Sequence, residues 1–122
     1  MPSHFSRALI PSQAITATVN SDLVQTASPL TMGTFIVTVS AFTSGSITPA
    51  IQGQDPATGN FYNILTGTAM TAAGTQLLRV GYAFTGSAGA TAQDFLPENW
   101  RVVLTAAGGT SLTASVGANL AP

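Results

Sequence analysis

The chain is 122 residues long, and its only fully charged side chains are three arginines and four carboxylates. Charged residues make up 6% of the sequence, against about 25% in ordinary soluble domains, and hydrophobic residues make up 45%. A net charge of −1 gives no basic footprint for nucleic acid, and the absence of cysteine excludes disulfides and thiolate metal sites. We therefore expect one domain that works as part of an assembly, because a surface so poor in charge is not built to face water alone.

The N-terminal residues 1–12 show neither helical nor strand periodicity, and we predict an extended arm there, ahead of a single domain at residues 13–122. Such an arm pays its ordering entropy only when it docks, and the alternative is a disordered tail. The residues that we expect to dock are Phe5, Arg7, Leu9 and Ile10. The apolar run in the arm is cut by Pro11 and is too short for a signal sequence or a membrane span, so we expect a cytosolic product without a membrane partner.

After the arm, apolar and polar residues alternate with a period of two, which is typical of half-buried strands. Strands are predicted at residues 13–19, 23–26 and 34–42, the last being the clearest because it is rich in β-branched residues. Ser44-Gly45 is interpreted as the turn of a hairpin whose second strand is residues 47–52. Pro49 lacks a ladder donor and places this second strand at an edge or a bulge.

The second half of the chain continues the pattern with one interruption. Turn residues 55–60 lead into strands at 61–66 and 75–82, and Gly108-Gly109 is interpreted as the turn of a closing hairpin between residues 100–106 and 112–116. Residues 83–99 form a long loop, and loops of this length are functional or disordered. Its apolar residues have no strand register to bury them, so they either pack over the sheet or contact a neighbouring chain; they are Phe84, Phe95 and Leu96.

These seven or eight short strands, with no helical periodicity, predict an all-β fold. We expect an antiparallel β-sandwich, jelly-roll or immunoglobulin-like, with an extended N-terminal arm. Two packed sheets are favoured over a barrel because strand lengths are uneven and Pro49 indicates an edge, although closure stays an open alternative.

The sequence offers little chemistry. The lone His4 leaves no second imidazole for a metal, and the closest carboxylates, Asp94 and Glu98, lie in a loop with Pro97 between them. Asp55 suits an Asx turn better than a cation site. We therefore expect no enzyme, no metal and no cofactor. Four aromatic residues are interpreted as packing residues, with a sugar-stacking platform as the alternative; they are Trp100, Tyr62, Tyr82 and Phe61.

Three stretches resemble small structural proteins of tailed bacteriophages: SGSITPAIQGQD at 44–55, GNFYNIL at 59–65, and WRVVLTAAGGT at 100–110 with the following strand 112–116. The resemblance implies a β-sandwich that coats or cements the virion, often as a capsid decoration protein in trimers at three-fold positions. It implies as partners the major capsid protein and copies of the chain itself. The implied location is the capsid surface, after synthesis in the cytoplasm of the host bacterium.

Two other functions stay open at this point. A carbohydrate-binding module would use the exposed faces of aromatic residues, and a tail-tube or fibre component also needs small β-rich subunits. The arm at 1–12 and the loop at 83–99 lie outside the resemblance, so the contacts expected of them follow from composition alone.

Overall fold

The computed structural model of the chain describes residues 5–25, 32–82 and 84–121, and within these ranges every regular element is a strand. The strands are β1 (Phe5–Ile15), β2 (Val19–Asn20), β3 (Val24–Gln25), β4 (Met32–Gln54), β5 (Phe61–Thr66), β6 (Gly74–Gly81), β7 (Thr91–Ala92) and β8 (Asn99–Ala121). Only the short β6–β7 pairing is parallel among the strand pairs of the described residues. The all-β prediction is confirmed. No helix in the described part of the chain has the length and apolarity needed to cross a membrane.

Two strands of 23 residues, β4 and β8, form the centre of the sheet. They pair antiparallel from Met32↔Ala121 to Gly53↔Trp100. One end of this ladder is flanked by β1 and β6, with β7 beyond, and we call it the first half-sheet. The other end is flanked by β2, β3 and β5, and we call it the second half-sheet. All strands therefore belong to one hydrogen-bonded sheet, whereas the sequence predicted two separate sheets.

Both predicted hairpin turns in these strands are wrong, because each is a bend within a continuous strand. The register of β4 against β8 shifts three times between Val39 and Ser46, and Gly45, Gly108 and Gly109 have positive φ of 77°, 73° and 66°. The Ser44 hydroxyl donates to the carbonyl of Gly109 at 2.8 Å, which joins the two bends. Glycines with a left-handed backbone produce bulges that bend a strand. The strand is not reversed here, because β4 pairs with β8 on both sides of the bend.

The bends fold the sheet so that its two halves face each other. Phe35 and Gly53 are eighteen positions apart on β4, about 60 Å along a straight strand. Trp100 pairs with Gly53, yet the rings of Phe35 and Trp100 lie 5.5 Å apart at an interplanar angle of 86°. The core lies between the two halves and consists of side chains from both, chiefly Ile10, Ile15, Phe35, Val37, Val39, Ile47, Ile51, Leu65, Leu78, Val80, Leu96, Trp100, Val102, Leu104, Leu112, Val116 and Leu120.

The N-terminal segment predicted as an extended docking arm is, from Phe5 onward, the strand β1, paired with β8. Its register shifts between Ala8 and Ile10 and again between Ile10 and Gln13. These bulges around Pro11 break the two-residue alternation, which is why the sequence shows no strand periodicity there. Residues 1–4, which include His4, lie outside the described residues.

Pro49 was predicted at an edge or bulge and is instead buried in the central strand β4, opposite Leu104. Its carbonyl accepts the amide of Gly67 at 2.7 Å, just beyond the β4–β5 ladder, which starts at Ala50↔Thr66. The N–H and C=O of one strand residue point to the same neighbouring strand. The N–H that Pro49 lacks would therefore point toward β5 at the end of the β4–β5 ladder, where the loss of one hydrogen bond costs little.

Candidate interaction surfaces

The outer face of the first half-sheet is built mostly from short uncharged side chains, and we call it the neutral face. The residues that face the core there are the alternate ones, for example Phe35 and Val37, which leaves their neighbours outside. The register aligns these outer residues in rows across β1, β8, β4 and β6: Ser6–Asn119–Thr34–Arg79, Ala8–Gly117–Ile36–Leu77, and Ser115–Thr38–Thr75.

Arg79 is the only charged residue in these rows, and Leu77 is the only large apolar side chain of the rows that is clearly exposed, at 40%. Neighbouring hydroxyl and amide groups bond across the strands, as where the Ser6 hydroxyl donates to Asn119 Oδ1 at 2.7 Å. Most other charged residues belong to the second half-sheet and its loops. They are Asp22, Asp55, Asp94, Glu98 and Arg101.

A second surface is an open groove of about 580 Å³ between the β4–β5 turn and the loop that precedes β8, which we call the aromatic groove. Three large aromatic side chains near it are exposed: Tyr62 at 46%, Phe95 at 47% and Tyr82 at 58%. Tyr82 stacks on Phe95 with ring centroids 6.2 Å apart. The groove is lined by Gln54, Asp55, Pro56, Thr58, Asn60, Phe61, Tyr62, Phe95 and Pro97.

The ring of Tyr62 is positioned by a glycine. Trp100, Gly53 and Tyr62 are neighbours in one row across β8, β4 and β5, so their side-chain directions share a face. A Cβ at Gly53 would lie 2.6 Å from the Tyr62 hydroxyl oxygen and 2.8 Å from Pro97 Cγ. The absence of a side chain at Gly53 therefore lets the phenol ring and Pro97 lie over the strand.

Phe95 is held by anchors on both sides. Leu96 is buried in the core at 3% exposure, and Pro97 lies over Gly53. The Phe95 amide donates to Asp94 Oδ1 at 2.8 Å, and the side chain of Gln93 donates to the carbonyl of Tyr82 at 3.1 Å. The long loop is therefore ordered around this point, and β7 also attaches it to β6, with the Arg79 amide donating to Ala90.

Asp55 closes the rim of the groove in the turn predicted from the sequence. Its carboxylate accepts the Ala57 amide and the Thr58 hydroxyl, both at 2.9 Å. These two bonds, the Ala57 amide first, favour the charged form and lower the pKa of Asp55 below its ordinary value. Gly59, with a φ of 78°, completes the turn. The carboxylate thus acts as an Asx-turn cap, as the sequence favoured.

Arg101 forms a cluster beside the groove that sequence reasoning missed. Its guanidinium carbon lies 3.7 Å from the centroid of the Phe61 ring, and its Nε donates to Gln52 Oε1 at 2.9 Å. The amide of Gln52 donates in turn to Asn63. The alternation of these strands put the residues on one face, but the pairing of β4 with both β5 and β8 was needed to bring them together.

The structure distributes the seven predicted contact residues between surface and core. Ile10 and Leu96 are core residues at 2% and 3% exposure, so their side chains are not presented at the surface. Leu9 is half-buried and packs against the same core. Arg7, half-buried Phe84 and Phe95 remain accessible, and their contact role stays a prediction. The backbone of Phe5 pairs with Leu120, and its side chain lies outside the described part of the molecule.

Two further sequence interpretations have an outcome here. Trp100 is completely buried against Phe35, so the alternative that it belongs to a sugar-stacking platform is wrong. Tyr62 and Tyr82, in contrast, are exposed. Phe84 lines a small cleft of about 210 Å³ with Met32, Gly33 and the end of β8. In the residues that the structure covers, no three side chains among His, Cys, Asp and Glu come together as a metal site would require.

The fold is shared with solved structures of low sequence identity. The SPBc2 prophage-derived protein YomS is 11% identical with a TM-score of 0.58, over 100% of this chain and 96% of that one. PirA is 13% identical with a TM-score of 0.51, over 100% and 95%. The structure of infectious bursal disease virus, Gx strain, is 12% identical with a TM-score of 0.52; the match covers 96% of this chain and 31% of that one.

No protein-family model matches the chain, and no curated protein matches it significantly. At identities of 11–13% these similarities show the fold alone.

Proposed function

We propose that this chain is a non-enzymatic structural protein of a bacteriophage particle, which binds the head shell as an oligomer and decorates or cements it. The neutral face is the observation that carries the proposal. The fold supports it, since one similar structure is of a prophage-derived protein and another is of a virus. In this proposal the partners are the major capsid protein and further copies of the chain, and the location is the capsid surface.

Covering the neutral face costs little free energy. Its short side chains lose little rotamer entropy when they are immobilised, and only Arg79 must be desolvated as a charge. A face lined with lysine and glutamate would lose far more. The surface is thus suited to contact with another protein rather than to standing alone in water.

The size of the face favours a lattice over a stable pair. Residues 34–40 of β4 span about 20 Å and four strands span about 15–20 Å, so the face covers about 300–400 Å². A stable pairwise interface buries about 800 Å² on each partner. One such contact is weak, but many copies bound to one shell gain avidity, and a protein that binds only the assembled shell stabilises it by mass action.

The acidic residues fit a structural role. Both oxygens of Asp55 are engaged in its own turn, and Asp94 accepts the amide of Phe95. These carboxylates hold loops in shape, which leaves them poorly placed for the acid–base chemistry of an enzyme.

The test is the occupancy of the protein on particles purified from the source of the gene, measured by quantitative mass spectrometry. We expect the wild-type chain on heads, and we expect Thr75→Glu, which adds a charge to the neutral face, to reduce occupancy at least tenfold. The matched control is Thr66→Glu on β5, another exposed strand threonine outside this face, which should keep wild-type occupancy. Absence of the chain from particles, or equal occupancy of the two variants, would refute the proposal, and presence in tails alone would replace it with a tail-tube or fibre role.

A further inference from the structure

We propose that the aromatic groove is a binding site for a neutral oligosaccharide, whose sugar rings stack on Tyr62 and Phe95 and whose hydroxyls bond to the amides of the β4–β5 turn. The groove shares no residue with the neutral face, so this inference stands or falls independently of the association with particles.

The aromatic side chains of the groove are unusually exposed. Six large hydrophobic side chains are exposed among the described residues, and three of them, Tyr62, Tyr82 and Phe95, lie in or beside this one groove. An aromatic ring has a negative face, which attracts the weakly positive C–H groups on the flat side of a pyranose. Scattered exposed hydrophobics need no explanation, but a cluster of this kind indicates a binding surface.

The two rings have contacts within the protein before any ligand arrives. Tyr62 lies over Gly53, where a Cβ would clash with the phenol at 2.6 Å. The backbone of Phe95 is fixed by buried Leu96 and by the bond to Asp94, and its ring stacks on Tyr82 with centroids 6.2 Å apart. A site that is already ordered loses little conformational entropy on binding, which matters most for weakly binding ligands such as sugars.

The polar lining of the groove is neutral. Gln54 and Asn60 supply side-chain amides, whereas the Thr58 hydroxyl is bonded to Asp55 and to the Asn60 amide, and the one carboxylate, Asp55, has both oxygens bonded within its turn. This lining favours an uncharged polyhydroxylated ligand over a phosphorylated or acidic one. The volume of about 580 Å³ lies inside the range of about 300–1,000 Å³ that is usual for small-ligand sites.

The openness of the groove favours a sugar over an apolar peptide. A peptide segment gains affinity by burying its side chains in pockets, whereas this groove is shallow and leaves about half of each ring in solvent. Stacking needs only the ring face together with a few neighbouring amides, which is what the groove presents.

The experiment uses the single tryptophan of the chain as a reporter, since Trp100 lies in the same cross-strand row as Gly53 and Tyr62. Fluorescence and isothermal titration would be measured with neutral hexasaccharides of α-1,4-linked glucose, β-1,4-linked glucose and β-1,4-linked N-acetylglucosamine. Hyaluronate serves as the charged comparison, and a proline-rich decapeptide tests the peptide alternative. A neutral glycan array extends the panel to other linkages.

We expect at least one neutral glycan to bind with a Kd below about 10 mM. Tyr62→Ala and Phe95→Ala should each weaken that binding at least tenfold, Tyr62→Phe should stay within about threefold because it keeps the ring, and Leu77→Ala on the neutral face should have no effect. Circular dichroism verifies that each variant is folded. We expect Phe95→Ala to fold, because this side chain is exposed and contributes little to the core. The proposal is overturned if no neutral glycan binds, if only hyaluronate or the peptide binds, or if binding persists in the folded Tyr62→Ala and Phe95→Ala variants.

Discussion

Phe35 and Trp100 join the two half-sheets through a direct contact between their rings. Their rings meet edge to face at 5.5 Å, and both side chains are completely buried. An edge-to-face aromatic pair adds about 0.5–1.5 kcal/mol to the free energy gained from burial. Replacing either ring with a small side chain leaves a cavity between the two half-sheets.

We predict that Phe35→Ala lowers the free energy of unfolding by about 3–5 kcal/mol, the usual loss when a buried aromatic is truncated. The matched control is Phe95→Ala, the same substitution at an exposed ring, which should cost no more than about 1 kcal/mol. Urea denaturation followed by circular dichroism measures both. Equal losses for the two variants would show that the half-sheets do not depend on this contact.

Asp55 gives the β4–β5 turn a pH dependence of known sign. The Ala57 amide and the Thr58 hydroxyl lower its folded pKa, so the stabilisation is present above the ordinary carboxyl pKa of about 3.9 and is lost as the pH falls through the lower folded value. Asp55→Asn keeps an oxygen acceptor but cannot titrate, which makes it the reference for this effect.

We predict that wild type melts at a higher temperature than Asp55→Asn at pH 7, and that this difference disappears as the pH is lowered below the folded pKa of Asp55. Thermal unfolding at a series of pH values from 7 to about 2 measures it. A difference that stays constant over the whole series would mean that the bonds of the carboxylate contribute nothing beyond those of an amide.

At the scale of the elements, the bends of β4 and β8 decide the architecture. Gly45 combines two demands, since its φ is 77° and a Cβ there would lie 2.5 Å from the Thr110 Cα. Gly109 has a φ of 66° with open space around it, and Gly86 has neither a left-handed backbone nor a near neighbour. Substitutions at these three glycines therefore distinguish the cost of a left-handed backbone from the cost of a Cβ that collides with a neighbouring atom.

We predict a graded response to alanine at these glycines. Gly45→Ala should cost about 2–4 kcal/mol from strain and collision together, Gly109→Ala about 1–2 kcal/mol from strain alone, and Gly86→Ala should be neutral or slightly stabilising. Urea denaturation of the three variants gives the order directly. If Gly45→Ala proved as mild as Gly86→Ala, the bend would not require a left-handed residue at this position.

The sequence predicted the strands well where the alternation is regular and failed where bulges interrupt it. Residues 34–42, 61–66 and 75–82 all lie in or close to observed strands, because their buried positions are apolar. Gly45 and Gly108-Gly109 were interpreted as hairpin turns, since a local pattern cannot distinguish a reversal from a bulge. Only the long-range pairing of β4 with β8 makes that distinction.

The interaction surfaces were harder to predict than the strands. For Phe95 and Leu96 the sequence left open whether they pack over the sheet or contact another chain; Phe95 is exposed, whereas Leu96 and the arm residue Ile10 are in the core. In a loop or a bulged strand no periodicity tells which of two adjacent apolar residues faces inward. The neutral face consists mostly of small or uncharged residues at alternate positions of four strands, and it becomes visible only when the register places those strands side by side.

At the scale of the whole molecule, charge is distributed unevenly. Five of the charged residues belong to the second half-sheet and its loops, while the outer rows of the first half-sheet contain only Arg79. A surface of this kind tends to associate, because little charge must be desolvated and little side-chain entropy is lost. The proposed structural role therefore requires that the neutral face is a contact surface.

Sedimentation velocity of the purified chain from about 10 µM to about 1 mM tests this claim most directly, since weak contacts have Kd values in this range. We predict that the average mass rises reversibly above the 12.3 kDa of one chain, and that Thr75→Glu suppresses the rise while Thr66→Glu, with the same added charge, does not. A single 12.3 kDa species for wild type at every concentration would contradict it, as would equal association of the two glutamate variants.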